Sequence, residues 1–171
     1  MAESTPGTTK AEPALLGIYL NDHLAGGTAG LELARRAAHA QRDTPAGPTL
    51  DRLAREIAED KEALVEIMAT LGVPVRRYKT YAAWVAEKVG RVKPNGHLFD
   101  RSPLSSLLEI ETLRLGVEGK ASLWRTLAEV AEHEPRLDRD RLTALMHRAE
   151  EQAKLLESMR VDTSAEVFGP D

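Results

Sequence analysis

The fold is decided by the stretch LDRLAREIAEDKEALVEIMATLG, residues 50–72. Its apolar residues recur every three or four positions, which is the spacing of a helix face that packs against other helices. The members of this seam are Leu50, Leu53, Ile57, Asp60, Leu64, Ile67 and Leu71, so one carboxylate interrupts an otherwise apolar face. We expect Thr49 to cap the N-terminus of this helix and Gly72 to cap its C-terminus, and Pro74 prevents its continuation.

Three further helices are predicted around this one from apolar periodicity and from Pro and Gly stop signals. The predicted helices run approximately over residues 14–41, 50–71, 103–133 and 137–160. Residues 1–12 are expected to form a disordered tail, and residues 162–171 a loose C-terminal tail. The remaining residues, 13–161, are predicted to form a single helical-bundle domain.

The amino-acid composition excludes several classes of protein and several kinds of metal or catalytic site. The chain has 171 residues and no cysteine, which excludes disulfides, thiolate zinc sites, iron–sulfur clusters and a cysteine nucleophile. The absence of cysteine and of a signal-peptide pattern favours a cytoplasmic protein. No apolar run reaches the roughly 18 residues of a membrane span, so no membrane partner is expected.

Connection lengths predict how the helices are arranged. The first and last connections are short, which favours two antiparallel hairpins, whereas about 30 residues separate the second and third helices. That length is enough to cross a bundle, and it includes RRYKTYAAWVAEKVG (76–90), which is predicted to be a short fifth helix. Together these features predict an all-α, antiparallel four-helix bundle with a long crossover, which is the ferritin-like arrangement.

Four stretches are also similar to a family of uncharacterised bacterial ferritin-like proteins. They are LNDHLAGGTAG (20–30), EIAEDKEALVEIM (56–68), AAWVAEKVGRVKPNG (82–96) and LLEIETLRLGVEGK (107–120). The resemblance covers about residues 14–160. It implies the bundle fold and raises the question of a metal site.

The ferritin-like metal motif is absent from the sequence. Such sites take a Glu from each of two helices and Glu-x-x-His from the other two, whereas no histidine here has an acidic residue three positions before it. Weaker candidates remain, and for these iron or manganese is the metal expected; they are His23, Asp60, Glu111 and Glu118. We favour a buried polar contact that fixes helix register for Asp60, and a more solvent-facing position for both glutamates. No cofactor is predicted.

Two polar layers follow from the helix rise along the predicted bundle. Asp60, Glu111 and Gln152 are expected at similar heights, with His23 and Glu118 at another. Gln152 resembles Asp60 because it also occupies a seam position, between Ala149 and Leu156.

Glycines occur near the middles of the first and third helices, where each costs about 1 kcal/mol relative to alanine. They are Gly26, Gly27, Gly30, Gly116 and Gly119. The favoured interpretation is close approach of neighbouring helix backbones. The alternative is a local bulge or a small cavity beside His23.

A basic segment interleaved with aromatic residues covers residues 75–93. Its cations are Arg76, Arg77, Lys79, Lys88, Arg91 and Lys93, against Glu87 as its one acidic residue. Such a segment can bind an anionic surface or nucleic acid. We favour packing of its aromatic side on the bundle, because a net charge of −4 lacks the basic footprint of a nucleic-acid-binding domain.

No catalytic motif is recognised, and an enzyme is not the favoured interpretation. The leading hypothesis is a non-enzymatic helical-bundle protein with a structural or protein-interaction role, with an unidentified protein partner or a homodimer. The first alternative is a degenerate ferritin-like carrier of a metal or small ligand. The second is anion or nucleic-acid binding through residues 76–93.

Overall fold

The computed structural model describes residues 13–76 and 103–170, which contain four α-helices. These are α1 (Pro13–Ala40), α2 (Gly47–Leu71), α3 (Pro103–Val130) and α4 (Arg139–Phe168). No strand occurs in these two ranges, so the all-α prediction is confirmed there. None of the helices described is long and apolar enough to cross a membrane. The predicted N-terminal tail, most of the crossover and its fifth helix lie outside the described residues.

The ends of α2 follow two different rules. Gly72 adopts φ 71° and ψ 22°, a left-handed conformation that favours glycine, and its N–H donates to the Ala69 carbonyl at 3.0 Å. The predicted C-cap is therefore confirmed. The predicted N-cap at Thr49 is wrong, because the helix begins at Gly47 with Pro48 in its first turn. Ala46 precedes it without a side-chain cap.

The two later helices end away from their predicted positions. α3 ends at Val130, and the chain continues in a turn where the His133 N–H donates to the Val130 carbonyl at 3.1 Å. α4 continues to Phe168, eight residues beyond the predicted end at Arg160. Residues 162–168, expected to be loose, are therefore helical. No glycine or proline interrupts the chain before Gly169 and Pro170, so nothing there breaks the helix.

The predicted seam of α2 forms part of the core. In α2 every member of the seam is buried except Leu71, which is half-buried. The largest fully buried side chain is that of Trp124 in α3, which lies in a cluster with apolar residues from all four helices. α1 packs against α2 and α3, and α3 packs against α4.

Side-chain contacts set the register of α1 against its neighbours. The Tyr19 hydroxyl donates to Thr126 Oγ1 at 3.2 Å, and Gln41 Nε2 donates to Ser106 Oγ at 3.2 Å. Asn21 is 5% exposed and holds the chain that follows α2. Its Nδ2 donates to the Pro74 carbonyl at 3.2 Å, and its Oδ1 accepts from the backbone N–H of residue 76 at 2.7 Å.

Ion pairs set the register of α4. Arg114 Nε lies 3.1 Å from Glu157 Oε2, and Arg125 Nη2 lies 3.4 Å from Glu150 Oε1. Both arginines therefore pair with residues of α4. Glu118 and Glu129, which lie four residues further along α3, have the spacing of ion pairs within a helix but are not the partners.

Candidate functional site

A buried polar network links α2, α3 and α4. Asp60 is 1% exposed and Gln152 is 2% exposed, so both are buried at their seam positions as predicted. Asp60 Oδ2 accepts a hydrogen bond from Lys120 Nζ, and Asp60 Oδ1 accepts one from Arg148 Nη2. Both oxygens of the buried carboxylate are thus paired with cations. We call Asp60, Lys120, Arg148 and Gln152 the core polar network.

The network reaches the surface through two glutamates of α2. Gln152 Oε1 accepts a hydrogen bond from Lys120 Nζ, while Gln152 Nε2 donates to Glu56 Oε2 at 2.9 Å. Arg148 Nη1 donates to Glu59 Oε2 at 2.8 Å. The charges alternate from the interior outward. Buried charges need such compensation because they have lost their hydration.

Lys120 is the most strongly desolvated cation of this network. Burial lowers the pKa of its ammonium group, and the attraction of Asp60 opposes that shift. Its side chain is 15% exposed, so one partner of the Asp60–Lys120 pair is fully buried and the other nearly so. Removing Asp60 would leave two cations without their shared counter-charge, whereas removing Lys120 would leave Asp60 paired with Arg148.

A cavity of about 550 Å³ lies on the other side of this pair, between α1, α2 and α3. Asp60 and Lys120 belong to its wall. Its lining also includes all the mid-helix glycines of both helices, namely Gly26, Gly27, Gly30, Gly116 and Gly119. The glycines leave helix backbone in part of the wall, and apolar and polar side chains line the rest.

The glycines of α1 and α3 lie at matching levels along the two helices. Interpolating between the Tyr19–Thr126 and Gln41–Ser106 contacts sets Gly30 level with Gly116, and Gly27 level with Gly119. A Cβ atom added at any of the five glycines would meet nothing within 4 Å. The favoured interpretation, close approach of helix backbones, is therefore wrong. The alternative, a cavity beside His23, is what the structure contains.

One end of the cavity is aromatic and polar. Tyr19, His23 and Trp124 line it, and the rings of Tyr19 and His23 meet edge to face with centroids 4.5 Å apart. Burial lowers the pKa of His23, and the charge of Asp22 opposes this shift, so the neutral imidazole is favoured. Trp124 is 1% exposed, and its Nε1–H has no hydrogen-bond partner in the part of the chain described here. The other end of the cavity is lined by Leu33 and Leu113.

The four predicted metal candidates are not brought together. His23 and Asp60 both line the cavity, whereas Glu111 is half-buried, Glu118 is exposed, and neither belongs to the lining. Within residues 13–76 and 103–170 no three His, Asp or Glu side chains form a group that could hold a metal ion. Lys120, rather than Glu111, stands beside Asp60 and Gln152. Iron or manganese binding remains a prediction without support from this geometry.

The predicted anion-binding segment lies almost entirely outside the described residues. Of its six cations the structure describes Arg76, which is exposed. Arg77, Lys79, Lys88, Arg91 and Lys93 lie in the range 77–102. Anion or nucleic-acid binding therefore stays a prediction.

The cations of the core polar network were not predicted, although the sequence contains a signal for Lys120. Lys120 comes three residues after Val117 and four before Trp124, so it shares their apolar face of α3. A cation on the apolar face of one helix can compensate a carboxylate on the apolar face of another. Lys120 was therefore a candidate partner for Asp60. The unpaired indole N–H of Trp124 had no signal in the sequence, because hydrogen-bond pairing depends on the neighbours.

No protein-family model, curated protein or solved structure matched this chain. Its function is therefore inferred from the cavity and the polar network.

Proposed function

We propose that the protein binds a small, largely apolar molecule in the glycine-lined cavity between α1 and α3. This is the small-ligand form of the carrier hypothesis. The observation that carries it is that five mid-helix glycines all line one cavity, and none has a neighbour where its Cβ would be.

The mid-helix glycines lower the stability of the helices. Each costs about 1 kcal/mol relative to alanine, so the five cost on the order of 5 kcal/mol, comparable with the whole net stability of a typical domain. Closer helix packing does not offset this cost, because added Cβ atoms would meet open space. A ligand that fills the space would offset it, since binding to the folded state stabilises that state.

The size and lining of the cavity fit this function. Pockets for small molecules have volumes of roughly 300–1,000 Å³, and they combine apolar walls with a few polar groups. The cavity of about 550 Å³ lies within that range. Its lining is mostly apolar, and its polar side chains include those of Tyr19, His23 and Lys120.

We also propose the antiparallel, ferritin-like topology, which the cross-helix contacts support. Along α1, rising residue numbers meet falling numbers in α3, from Tyr19–Thr126 to Gln41–Ser106. The pairs between α3 and α4, and those between α2 and α4, run in the same opposed sense. In this arrangement α2 and α3 point the same way, which requires a crossover as long as the bundle.

The binding test uses the neutral fluorescent probe N-phenyl-1-naphthylamine. We expect saturable binding at one site per chain and at least about tenfold weaker binding by Gly30→Leu, whose side chain would enter the cavity. The matched control is Thr28→Leu, because Thr28 is exposed, lies on the same helix and is not part of the lining. Unsaturable binding, or equal binding by both variants, would contradict the proposed function.

The structural or protein-interaction role stays a prediction. Exposed apolar side chains on α3 and α4 allow the homodimer hypothesis to be tested. Leu104, Leu108 and Phe168 are exposed apolar side chains, in the first turns of α3 and at the end of α4. If a homodimer forms through this surface, Leu108→Glu should make it monomeric in sedimentation analysis. A monomeric wild-type protein would remove the homodimer hypothesis.

A further inference from the structure

We propose that the cavity takes an apolar molecule with a single carboxylate, and that the ammonium group of Lys61 binds this carboxylate. This inference rests on the proposed function, because it names the class of molecule that the same cavity would bind. It follows from the position of Lys61 on α2, from its lack of a partner and from the other charges of the cavity wall.

Lys61 lies on the face of α2 that lines the cavity. It comes four residues after Ile57 and three before Leu64, so the three residues share one helix face, and all three belong to the cavity lining. Ile57 and Leu64 are buried, whereas Lys61 is half-buried. A lysine in such a position covers apolar surface with its methylene chain and keeps its ammonium group near water. The apolar lining therefore has a cation at its border with the solvent.

Lys61 has no counter-charge within the part of the chain that the structure describes. No hydrogen bond or ion pair joins it to another residue of these ranges. Ion pairs along a helix form between residues three or four positions apart, and none of its neighbours at this spacing is acidic. They are Ile57, Ala58, Leu64 and Val65. The half-buried ammonium group has thus lost part of its hydration without a compensating interaction.

The other two lysines that the structure describes are both paired. Lys120 pairs with Asp60, and Lys154 pairs with Glu151 at 2.7 Å, three residues before it on α4. Lys154 is also exposed and lies outside the cavity lining. Of these three lysines, Lys61 is therefore the one that can accept an anion from outside the chain without losing a partner.

The other charges of the cavity wall favour a monoanion. Asp60 and Lys120 already compensate each other, and His23 favours its neutral form. Asp22 is exposed on α1, so water and salt screen its carboxylate. One unpaired cation compensates one negative charge. A carboxylate carries that charge, whereas a phosphate group approaches two at neutral pH.

The test compares decanoate with 1-decanol, which have the same number of carbon atoms, by displacement of N-phenyl-1-naphthylamine at neutral pH. Lys61→Met removes the ammonium group and keeps an unbranched side chain. We expect the ratio of the decanoate Kd to the decanol Kd to rise about tenfold in this variant, which corresponds to about 1.4 kcal/mol. A hydrogen bond to a charged group has roughly this strength. The matched control is Lys154→Met, which should leave the ratio unchanged.

A second measurement uses the unsubstituted protein and so does not depend on the folding of a variant. Decanoate and decylammonium carry opposite charges on chains of the same length, and decanoate should bind more tightly. Added NaCl should weaken the binding of decanoate relative to that of decanol, because salt screens an ion pair at a half-exposed lysine.

The outcomes separate this inference from the proposed function. Displacement by decanoate and decanol with an unchanged Kd ratio in Lys61→Met would overturn the carboxylate site and leave the cavity function standing. Tighter binding of decylammonium than of decanoate, or an equal rise of the ratio in Lys154→Met, would do the same. Failure of decanoate, decanol and N-phenyl-1-naphthylamine to bind would overturn the proposed function itself.

Discussion

The core polar network and the glycine-lined cavity share Asp60 and Lys120 as a common wall, yet they are built in opposite ways. On the side of α4, long charged and amide side chains fill the interior and pair with one another. On the side of α1, five glycines of α1 and α3 line the cavity, and a Cβ added at any of them would meet nothing within 4 Å. Both arrangements cost stability relative to an apolar, fully packed core.

The two regions have different effects on how the helices align. A paired carboxylate favours one register of three helices, because any shift would leave a buried charge without its partner. The glycines do not favour a register, since they contact nothing across the cavity. A network that fixes the register of three helices would also hold the wall of the proposed binding site in place.

The largest expected effect is the loss of stability when the core polar network is disrupted. Asp60→Asn removes the charge that compensates two cations, and we expect the free energy of unfolding to fall by about 3–5 kcal/mol. Urea denaturation measures this. The control is Glu59→Gln, since Glu59 bonds the same arginine but its side chain is 62% exposed. The control should change stability by no more than about 0.5 kcal/mol. Equal losses would mean that Asp60 is not the centre of the network.

A double-mutant cycle then tests whether Asp60 and Lys120 act as a pair. We expect Lys120→Met to cost less than Asp60→Asn, because Arg148 still compensates Asp60 in that variant. The loss in the double variant should be smaller than the sum of the single losses by about 0.5–3 kcal/mol. Strict additivity in urea denaturation would contradict direct pairing.

For substitutions of the glycines that line the cavity, we expect the free energy of unfolding to rise instead of fall. Gly30→Ala and Gly116→Ala should each raise the free energy of unfolding by about 1 kcal/mol, because alanine favours the helix and its Cβ meets open space. Gly17→Ala is the matched control. Gly17 lies in the same helix as Gly30, outside the cavity lining, and its added Cβ would stand an ordinary 3.7 Å from Val73 Cγ1.

The two kinds of alanine variant should differ in binding. All should be stabilised in thermal melts, but the cavity variants should bind N-phenyl-1-naphthylamine more weakly, and Gly17→Ala should bind it as the wild type does. Destabilisation by Gly30→Ala would show that the glycine has a local role other than leaving space.

The smallest expected effect concerns His23 at the polar end. Its folded-state pKa lies below the reference value of 6.5, so the unfolded chain binds the proton more readily. The stability from neutral His23 is thus complete above pH 6.5 and is lost as the pH falls through the folded-state pKa. We expect a His23→Gln variant to lose less stability between pH 7 and pH 5. An NMR titration that places the pKa of His23 above 6.5 would contradict this.

The sequence predicted the helices of this protein better than their ends. The apolar seam of α2 and the cap at Gly72 follow from interactions within a few residues, and both are confirmed. The end of α4 was predicted too early because the weak apolar pattern of residues 161–168 hid a stretch with no helix breaker. The start of α2 was misplaced because Pro48 suits a first turn without a side-chain cap.

The site was predicted only in part. The seam pattern identified Asp60 and Gln152 as buried polar residues, and it placed His23 on an apolar face. The partners of Asp60 were missed, and the glycines were assigned to close packing instead of to a cavity. Spacing within one helix reports which face a residue occupies, but not what stands opposite.

By itself, therefore, the sequence determined four helices, the faces they bury and the need of Asp60 for a partner, because local spacing and capping act over a few residues. Only the tertiary structure decided that Lys120, 60 positions along the chain, meets that carboxylate. It also decided that the glycines of α1 and α3 line one cavity. Both outcomes depend on the distance between helix axes and on their relative register, which no single helix encodes.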